Sequence, residues 1–136
     1  MRFAIALLAL LVVSSANAAA GEDYARRLGD LVNAYRIEHG VKALAVDGTI
    51  ASLAREHSGE MAKAKRMNHE GYQSRVRRSG LAMCLENVGW NYPTAQAQFE
   101  AWKKSSGHDR NMLDRRVARM GIGVVDDYVT FIACGV

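Results

Sequence analysis

Three ionisable side chains in this sequence could do chemistry together: His69, Glu86 and His108. They come from three separate stretches of the chain, so a shared site requires the fold to bring them to one cleft. Two imidazoles and a carboxylate could bind a divalent metal and leave coordination positions open. They could also form a proton-transfer network in which Glu86 fixes a histidine tautomer, or a satisfied polar cluster that holds three elements in register. The residue types alone leave these alternatives open.

The stretch around His108 has the pattern of a helix end followed by a new helix start. A helix that carries Trp102 is expected to stop at the Ser-Ser-Gly that follows it, and His108 opens a short second helical turn. We predict Ser106 as the N-cap of that turn and Asp109 as the acid within it, so Ser106 is a cap rather than a nucleophile. This geometry places the imidazole at a helix start, where it can face a cleft; a capped turn with a surface histidine is the alternative.

The other two side chains are placed by a loop and by a strand. His69 follows the end of a helix, and loops held by a rigid scaffold often carry site residues. Residues 84–90 alternate as a strand with Glu86 on the inward face, and a buried carboxylate needs a partner. His57 lies inside an apolar helical stripe, where we predict a hydrogen-bonded core residue rather than a ligand.

The remaining pattern predicts one α+β domain, with helices packed on a small antiparallel sheet. Helices are expected over 22–39, from Asp47 to about residue 66, over 73–79, and from Thr94 to the Ser-Ser-Gly. Two further strands, over 119–125 and 128–136, are expected to form a hairpin around Asp126-Asp127.

The first eighteen residues match a secretory signal peptide. One arginine precedes a short apolar run over 4–13, and small residues lead to a cleavage point after Ala18, with Ala20 as a second possible point. The run is too short to span a bilayer of about 30 Å. We therefore expect an exported, soluble protein whose domain covers residues 22–136.

In an exported chain Cys84 and Cys134 are expected to form a disulfide, with two free thiols as the alternative. The formal net charge of +4 is mildly basic. A cluster of arginines is most simply a solvated face, and an anion-binding patch is the second choice. The arginines concerned are Arg75, Arg77, Arg78, Arg115, Arg116 and Arg119.

An ordered set of short segments runs from about residue 23 to the end of the chain. The segments are Leu31-Val32-Asn33-Ala34-Tyr35-Arg36, Leu53-Ala54-Arg55-Glu56-His57-Ser58, the isolated His69, Cys84-Leu85-Glu86-Asn87-Val88, Trp102 with Ser106-Gly107-His108, Asn111-Met112-Leu113, and Gly121-Ile122-Gly123-Val124. Together they resemble the CAP superfamily, the cysteine-rich secretory, antigen-5 and pathogenesis-related proteins, in its short bacterial form with an SCP-like domain.

This resemblance implies an α-β-α sandwich with a large cleft lined by two histidines and two acidic residues. By motif position, His69 and His108 match the family's histidines and Glu86 its first glutamate. The second glutamate would fall three residues after the tryptophan, where this chain has Ser105; Glu100 lies nearby and is a weak candidate. Members of the family have been linked to binding of divalent metals such as zinc at the paired histidines, to sterol or lipid binding, and to proteolysis.

These observations favour an exported ligand-binding module whose cleft takes a divalent metal, zinc first, at His69 and His108. A metal-assisted or Glu86-assisted hydrolase acting on peptides or cell-wall material is the second hypothesis. The third is a binder of anionic envelope surfaces or lipids. We expect a monomer whose partner is a small-molecule, lipid or cell-envelope ligand, with no nucleic acid partner and no membrane-spanning segment.

Overall fold

The computed structural model describes residues 2–136, with side chains from residue 15 onward, and this part of the chain has five helices on a four-stranded sheet. The helices are α1 (Arg2–Glu38), α2 (Gly48–Ala64), α3 (Tyr72–Ser79), α4 (Ala95–Lys104) and α5 (Ser106–Met112); the strands are β1 (Ala45–Val46), β2 (Met83–Trp90), β3 (Arg119–Val125) and β4 (Tyr128–Gly135). The predicted signal peptide, residues 1–18, falls mostly on residues whose side chains lie outside the described part, and it stays a prediction.

The sheet has the strand order β1-β3-β4-β2. Both β2 and β3 pair antiparallel with β4, as the sequence predicts for the last two strands. Two residues of β1 pair in parallel with Arg119 and Met120, so the sheet is mixed rather than antiparallel throughout. As a result β4 is central and buried along its whole length, while β2 lies at the outer edge.

Helices cover both faces of the sheet. The larger hydrophobic cluster joins α1 and α4 to one face, through residues such as Leu28, Trp102 and Phe131. A second cluster joins α2 to the other face, through residues such as Ile50 and Ile132. The fold is therefore an α-β-α sandwich, because alternate residues of β4 point to opposite helical layers.

Two glycines of β3 allow α2 to pack directly on the sheet. A Cβ at Gly121 would lie 2.0 Å from the backbone nitrogen of Ala51, and a Cβ at Gly123 would lie 2.1 Å from that of Arg55. Helix α2 begins where the sequence predicts, since the Asp47 carboxylate accepts a hydrogen bond from the Ile50 amide at 3.0 Å. Backbone-to-backbone contact thus fixes α2 against β3.

Arg36 ties the end of α1 to the end of α5. Its side chain is almost fully buried. The guanidinium donates to the carbonyls of Lys42, Met112 and Asp114 at 2.7, 2.9 and 2.8 Å. The helix that carries His108 is therefore anchored at its C-terminal end by a residue of α1.

The predicted disulfide between Cys84 and Cys134 is present. The two residues are directly opposite each other on β2 and β4, and both are buried. Within the described residues, none of the helices combines the length and the apolar character needed to cross a membrane.

Candidate functional site at the edge strand

Glu86 is the centre of the polar cluster. It lies on the face of β2 that points toward α2, and both of its carboxylate oxygens are bonded. Arg75 binds them with two nitrogens, Nε to Oε2 at 2.7 Å and Nη2 to Oε1 at 2.8 Å. His69 Nδ1 lies 2.8 Å from Oε1. The buried carboxylate predicted from the strand pattern is therefore paired with a buried arginine and with a histidine.

The prediction of a solvated face for the α3 arginines is wrong for Arg75, which is only 5% exposed. It lies three residues after Tyr72 and four before Ser79, the spacing that brings helix side chains together, and Val76 lies four residues after the same tyrosine. That spacing was the available signal, because Val76 packs against the core and marks the face as inward. Arg75 also donates to the Glu70 carbonyl at 2.6 Å and so fastens the loop that carries His69.

His57 is a hydrogen-bonded core residue, as its position in an apolar stripe predicts, and it supports the same loop. Its Nε2 lies 2.7 Å from the carbonyl oxygen of Asn68 and 3.8 Å from Glu86 Oε1. Its Nδ1 lies 3.2 Å from Glu60 Oε2. Since Asn68 immediately precedes His69, the buried imidazole fixes the backbone from which the exposed imidazole projects.

Helix α5 starts one residue earlier than predicted. Ser105, not Ser106, is the N-cap, and its carbonyl accepts the Asp109 amide at 2.8 Å without a side-chain capping bond. The Asp109 carboxylate instead accepts a hydrogen bond from the Tyr35 hydroxyl at 2.7 Å. The reciprocal capping pair predicted for this turn therefore does not form, because a contact from α1 occupies the acid.

His108 lies in the first turn of α5, half-buried, with its ring centroid 6.3 Å from that of Trp102. Burial lowers the pKa of His108 below its ordinary value, and an electrostatic contribution from His69 lowers this pKa further. No hydrogen bond to the His108 ring occurs within the described part of the chain.

A buried asparagine joins His108 to the edge strand. Asn87, which is fully buried, donates its amide Nδ2 to the His108 carbonyl at 3.1 Å. Its Oδ1 accepts Nδ2 of Asn111 at 2.9 Å, and the same Asn111 nitrogen lies 3.4 Å from the Glu86 carbonyl. The resulting cleft has a volume of about 430 Å³, and its lining consists of His69, Tyr72, Leu85, Glu86 and Asn111.

The outer edge of β2 is closed by side-chain donors. Three alternate carbonyls point away from β4, and each accepts a hydrogen bond from a different helix. The pairs are Tyr72 with Cys84, Asn111 with Glu86, and Trp102 with Val88. An extended peptide therefore finds these carbonyls occupied, and the edge is protected against the addition of another strand.

Glu100, the weak candidate for a second acid, has partners on its own helix. It accepts a hydrogen bond from Gln96 at 3.0 Å and lies 3.7 Å from Lys103 Nζ. The position expected from the resemblance for a second glutamate is Ser105, the N-cap of α5. The structure thus joins His69 to Glu86 directly and links the His108 carbonyl to the same strand through Asn87, while Glu100 takes no part in these contacts.

The arginines proposed for an anionic surface are mostly engaged elsewhere. Besides Arg75, three of them form ion pairs with carboxylates and one donates to a backbone carbonyl. The contacts are Arg78 with Glu56, Arg116 with Asp114, Arg119 with Asp47, and Arg115 with the Gly40 carbonyl. The third hypothesis stays a prediction, with most of its arginines paired in this way.

Two further features bear on a ligand. No group of three or more His, Cys, Asp and Glu side chains within the described residues is arranged to hold a metal ion, so a metal in the cleft would depend on the two imidazoles.

A second groove, of about 270 Å³, lies at the opposite edge of the sheet between α1, α2 and β3. An ion pair between Glu22 and Arg55 lies at that groove, which contains no histidine.

The fold and the cleft together define an SCP-like α-β-α sandwich protein. The sequence model of the cysteine-rich secretory protein family, CAP, matches residues 30–135, and the chain belongs to this family. The resemblance inferred from the ordered segments is thereby confirmed.

Known proteins support the same assignment. The chain is 29% identical over 113 residues to the uncharacterized protein YkwD of Bacillus subtilis (strain 168), covering 76% of this chain and 43% of YkwD. It is 28% identical over 112 residues to the uncharacterized membrane protein YlbC of the same organism, covering 77% of this chain and 32% of YlbC. The chain thus spans less than half the length of these relatives.

Among solved structures, an extracellular protein of Bacillus anthracis that contains an SCP domain superposes with a TM-score of 0.81 at 24% identity. The match covers 85% of this chain and 41% of that protein. At this level of identity the likeness establishes the fold.

Proposed function

We propose that this protein is an exported CAP-domain module whose cleft binds a ligand together with a divalent metal, zinc first, at His69 and His108. The observation that carries the proposal is the 2.8 Å contact between His69 Nδ1 and a carboxylate that Arg75 keeps engaged. An ionised carboxylate only accepts hydrogen bonds, so Nδ1 carries the proton and Nε2 keeps its lone pair. A histidine oriented by a carboxylate in this way is the usual arrangement behind a metal ligand.

The second imidazole fits the same role. A lowered pKa keeps His108 neutral at pH 7, and metal binding requires a neutral imidazole. Glu86 is not a donor to the metal in this scheme, because Arg75 and His69 occupy both of its oxygens. The residues present therefore suit a divalent ion held by two imidazoles, with the other positions open to the ligand.

Export from the cell is part of this proposal. It draws support from the signal-peptide pattern of residues 1–18, from the disulfide, and from the extracellular Bacillus anthracis protein with the similar fold. We propose that the mature domain covers residues 22–136 and acts as a monomer. Its ligand would be a small molecule, a lipid or a component of the cell envelope.

Zinc titration of the tag-free protein tests the metal part of the proposal. We expect isothermal calorimetry to show one zinc site, and both His69→Ala and His108→Ala to lower the affinity at least about tenfold. The matched control is His39→Ala, because His39 is exposed and bonds to the Tyr35 carbonyl at the end of α1. If zinc gives no heat, or if all three variants bind like the parent protein, the metal proposal fails.

A hydrolase acting on peptides or cell-wall material is the second candidate, and the His69–Glu86 pair is the observation that favours it. Since Glu86 is engaged, His69 Nε2 would take the proton from water while Glu86 stabilises the charged imidazole. Turnover lost in His69→Ala and reduced in Glu86→Gln would support this candidate. The hydrolase hypothesis is rejected if, in a screen of peptide and cell-wall substrates, no substrate is turned over in a way that depends on His69.

A further inference from the structure

The orientation of the Asn111 amide follows from a chain of hydrogen bonds that begins at a backbone carbonyl. The His108 carbonyl can only accept, so the Asn87 nitrogen must face it, at 3.1 Å. Asn87 Oδ1 then faces Asn111 and requires a donor, which fixes Nδ2 of Asn111 toward it at 2.9 Å. The same nitrogen approaches the Glu86 carbonyl. Both asparagine amides are therefore oriented without ambiguity.

This orientation leaves the Asn111 amide oxygen available. Its nitrogen faces two acceptors, and Oδ1 has no hydrogen-bond partner among residues 15–136. Asn111 also lines the cleft that contains His69. Since it follows His108 by three residues on α5, the two side chains lie on the same face of that helix.

We propose that Asn111 Oδ1 is the third protein donor of the His69–His108 site and contacts the bound divalent metal. The inference rests on the metal site proposed above. An amide oxygen is a neutral donor that divalent ions accept beside imidazole nitrogens. Arg75 engages the Glu86 carboxylate and the Tyr72 hydroxyl donates to the Cys84 carbonyl, so Asn111 Oδ1 is the lining side-chain oxygen that has no partner among the described residues. An amide oxygen among the ligands would also favour metal ions that accept mixed nitrogen and oxygen ligands.

Two substitutions separate this role from a structural one. Asn111→Ala removes both the oxygen and the nitrogen, whereas Asn111→Asp keeps an oxygen donor but turns a carboxylate toward two acceptors, Asn87 Oδ1 and the Glu86 carbonyl. A donor to the metal predicts zinc affinity about tenfold lower in the alanine variant and equal to or higher than the parent in the aspartate variant. A purely structural role predicts that aspartate is no better than alanine.

The experiment is zinc calorimetry on the tag-free parent and both variants, with urea unfolding of the zinc-free proteins to measure the cost in stability. Cobalt(II) absorption supplies an independent readout, because an oxygen donor exchanged for water or carboxylate changes the visible bands. Zinc binding within twofold of the parent in Asn111→Ala overturns the inference, as does aspartate binding no tighter than alanine. If the parent binds zinc and loses it only on substitution of His69 or His108, the inference fails and the metal site stands. A parent that binds no zinc overturns both.

Discussion

Removal of Arg75 is the sharpest test of how the edge site is held together. Arg75→Met leaves the Glu86 carboxylate buried, with its side chain 2% exposed and His69 as its remaining side-chain partner within 3 Å. The two hydrogen bonds that Glu86 loses, at 2.7 and 2.8 Å, are both assisted by charge, and the bond of Arg75 to the Glu70 carbonyl is lost with them. Removing one partner of such a buried pair costs about 3–5 kcal/mol. That is a large share of a typical domain stability of about 5–15 kcal/mol.

A matched control lies one turn away on the same helix. Arg78 makes a similar two-nitrogen contact with Glu56, but both side chains are about half exposed. Since solvent screens an exposed pair, we expect Arg78→Met to cost less than about 1 kcal/mol. The two variants share the helix, the residue type and the loss of a two-nitrogen contact with a glutamate, so the contrast reports the burial of the Arg75 site together with its additional bond to the Glu70 carbonyl.

Urea unfolding at pH 7, followed by circular dichroism with the disulfide intact, measures both variants. The double variant Arg75→Met with Glu86→Leu should recover most of the lost stability, because replacing both members of a buried pair with apolar residues is often close to neutral. The reasoning is refuted if Arg75→Met costs no more than Arg78→Met. It is also refuted if the double variant is no more stable than Arg75→Met alone.

Three further predictions concern packing, the disulfide and protonation. Gly121→Ala should lower the free energy of unfolding in urea by at least about 3 kcal/mol, because its Cβ would meet the α2 backbone at 2.0 Å. Gly107→Ala is the control. The nearest contact of its Cβ would be 4.0 Å away, so it should change the free energy of unfolding by less than about 1 kcal/mol. Replacing both disulfide cysteines with alanine should lower stability by roughly 4 kcal/mol on the chain-entropy model, for a separation of 50 residues, and an unchanged melting temperature would contradict that model. NMR titration of metal-free protein should place the pKa of His108 below its ordinary value, and His69→Ala should raise it only in part, because burial is the larger cause. Since this pKa is lower in the folded than in the unfolded state, His108 should cost stability as pH falls through about 6.5 toward the folded value, and His108→Gln should weaken that dependence.

Local signals in the sequence were sufficient to predict most helices and strands. Asp47 and Thr94 cap α2 and α4 with hydrogen bonds to backbone amides, as predicted. Gly40 and Gly80 have positive φ angles of 69° and 73° just beyond α1 and α3. These predictions succeed because a cap or a left-handed turn depends on residues that are neighbours in the chain.

The errors arise where a distant residue decides the outcome. The acid in the first turn of α5 bonds to Tyr35 on α1, so the capping pair predicted from neighbouring residues does not form. Arg75 is buried because a strand eleven residues later supplies Glu86. The short parallel strand β1 depends on the backbone of β3, which no local pattern in residues 45–46 indicates. Each of these features is set by tertiary contacts rather than by propensity.

The position of β2 at the edge of the sheet explains how His69 and His108 can share a site. His69 comes from the α2 side of the sheet, where Arg75 and His57 hold its loop, whereas His108 comes from α5 on the other side. A central strand would keep these groups apart, because its neighbours fill the plane between the two layers.

Glu86 joins the two halves of the site across that edge. Its carboxylate binds the His69 loop on one side, while its outward carbonyl accepts Asn111 from α5. Side chain and backbone of one strand residue thus connect both helical layers. Since each layer also has its own anchor, Arg75 for the loop and Arg36 for α5, loss of one anchor should displace one imidazole and leave the other in place.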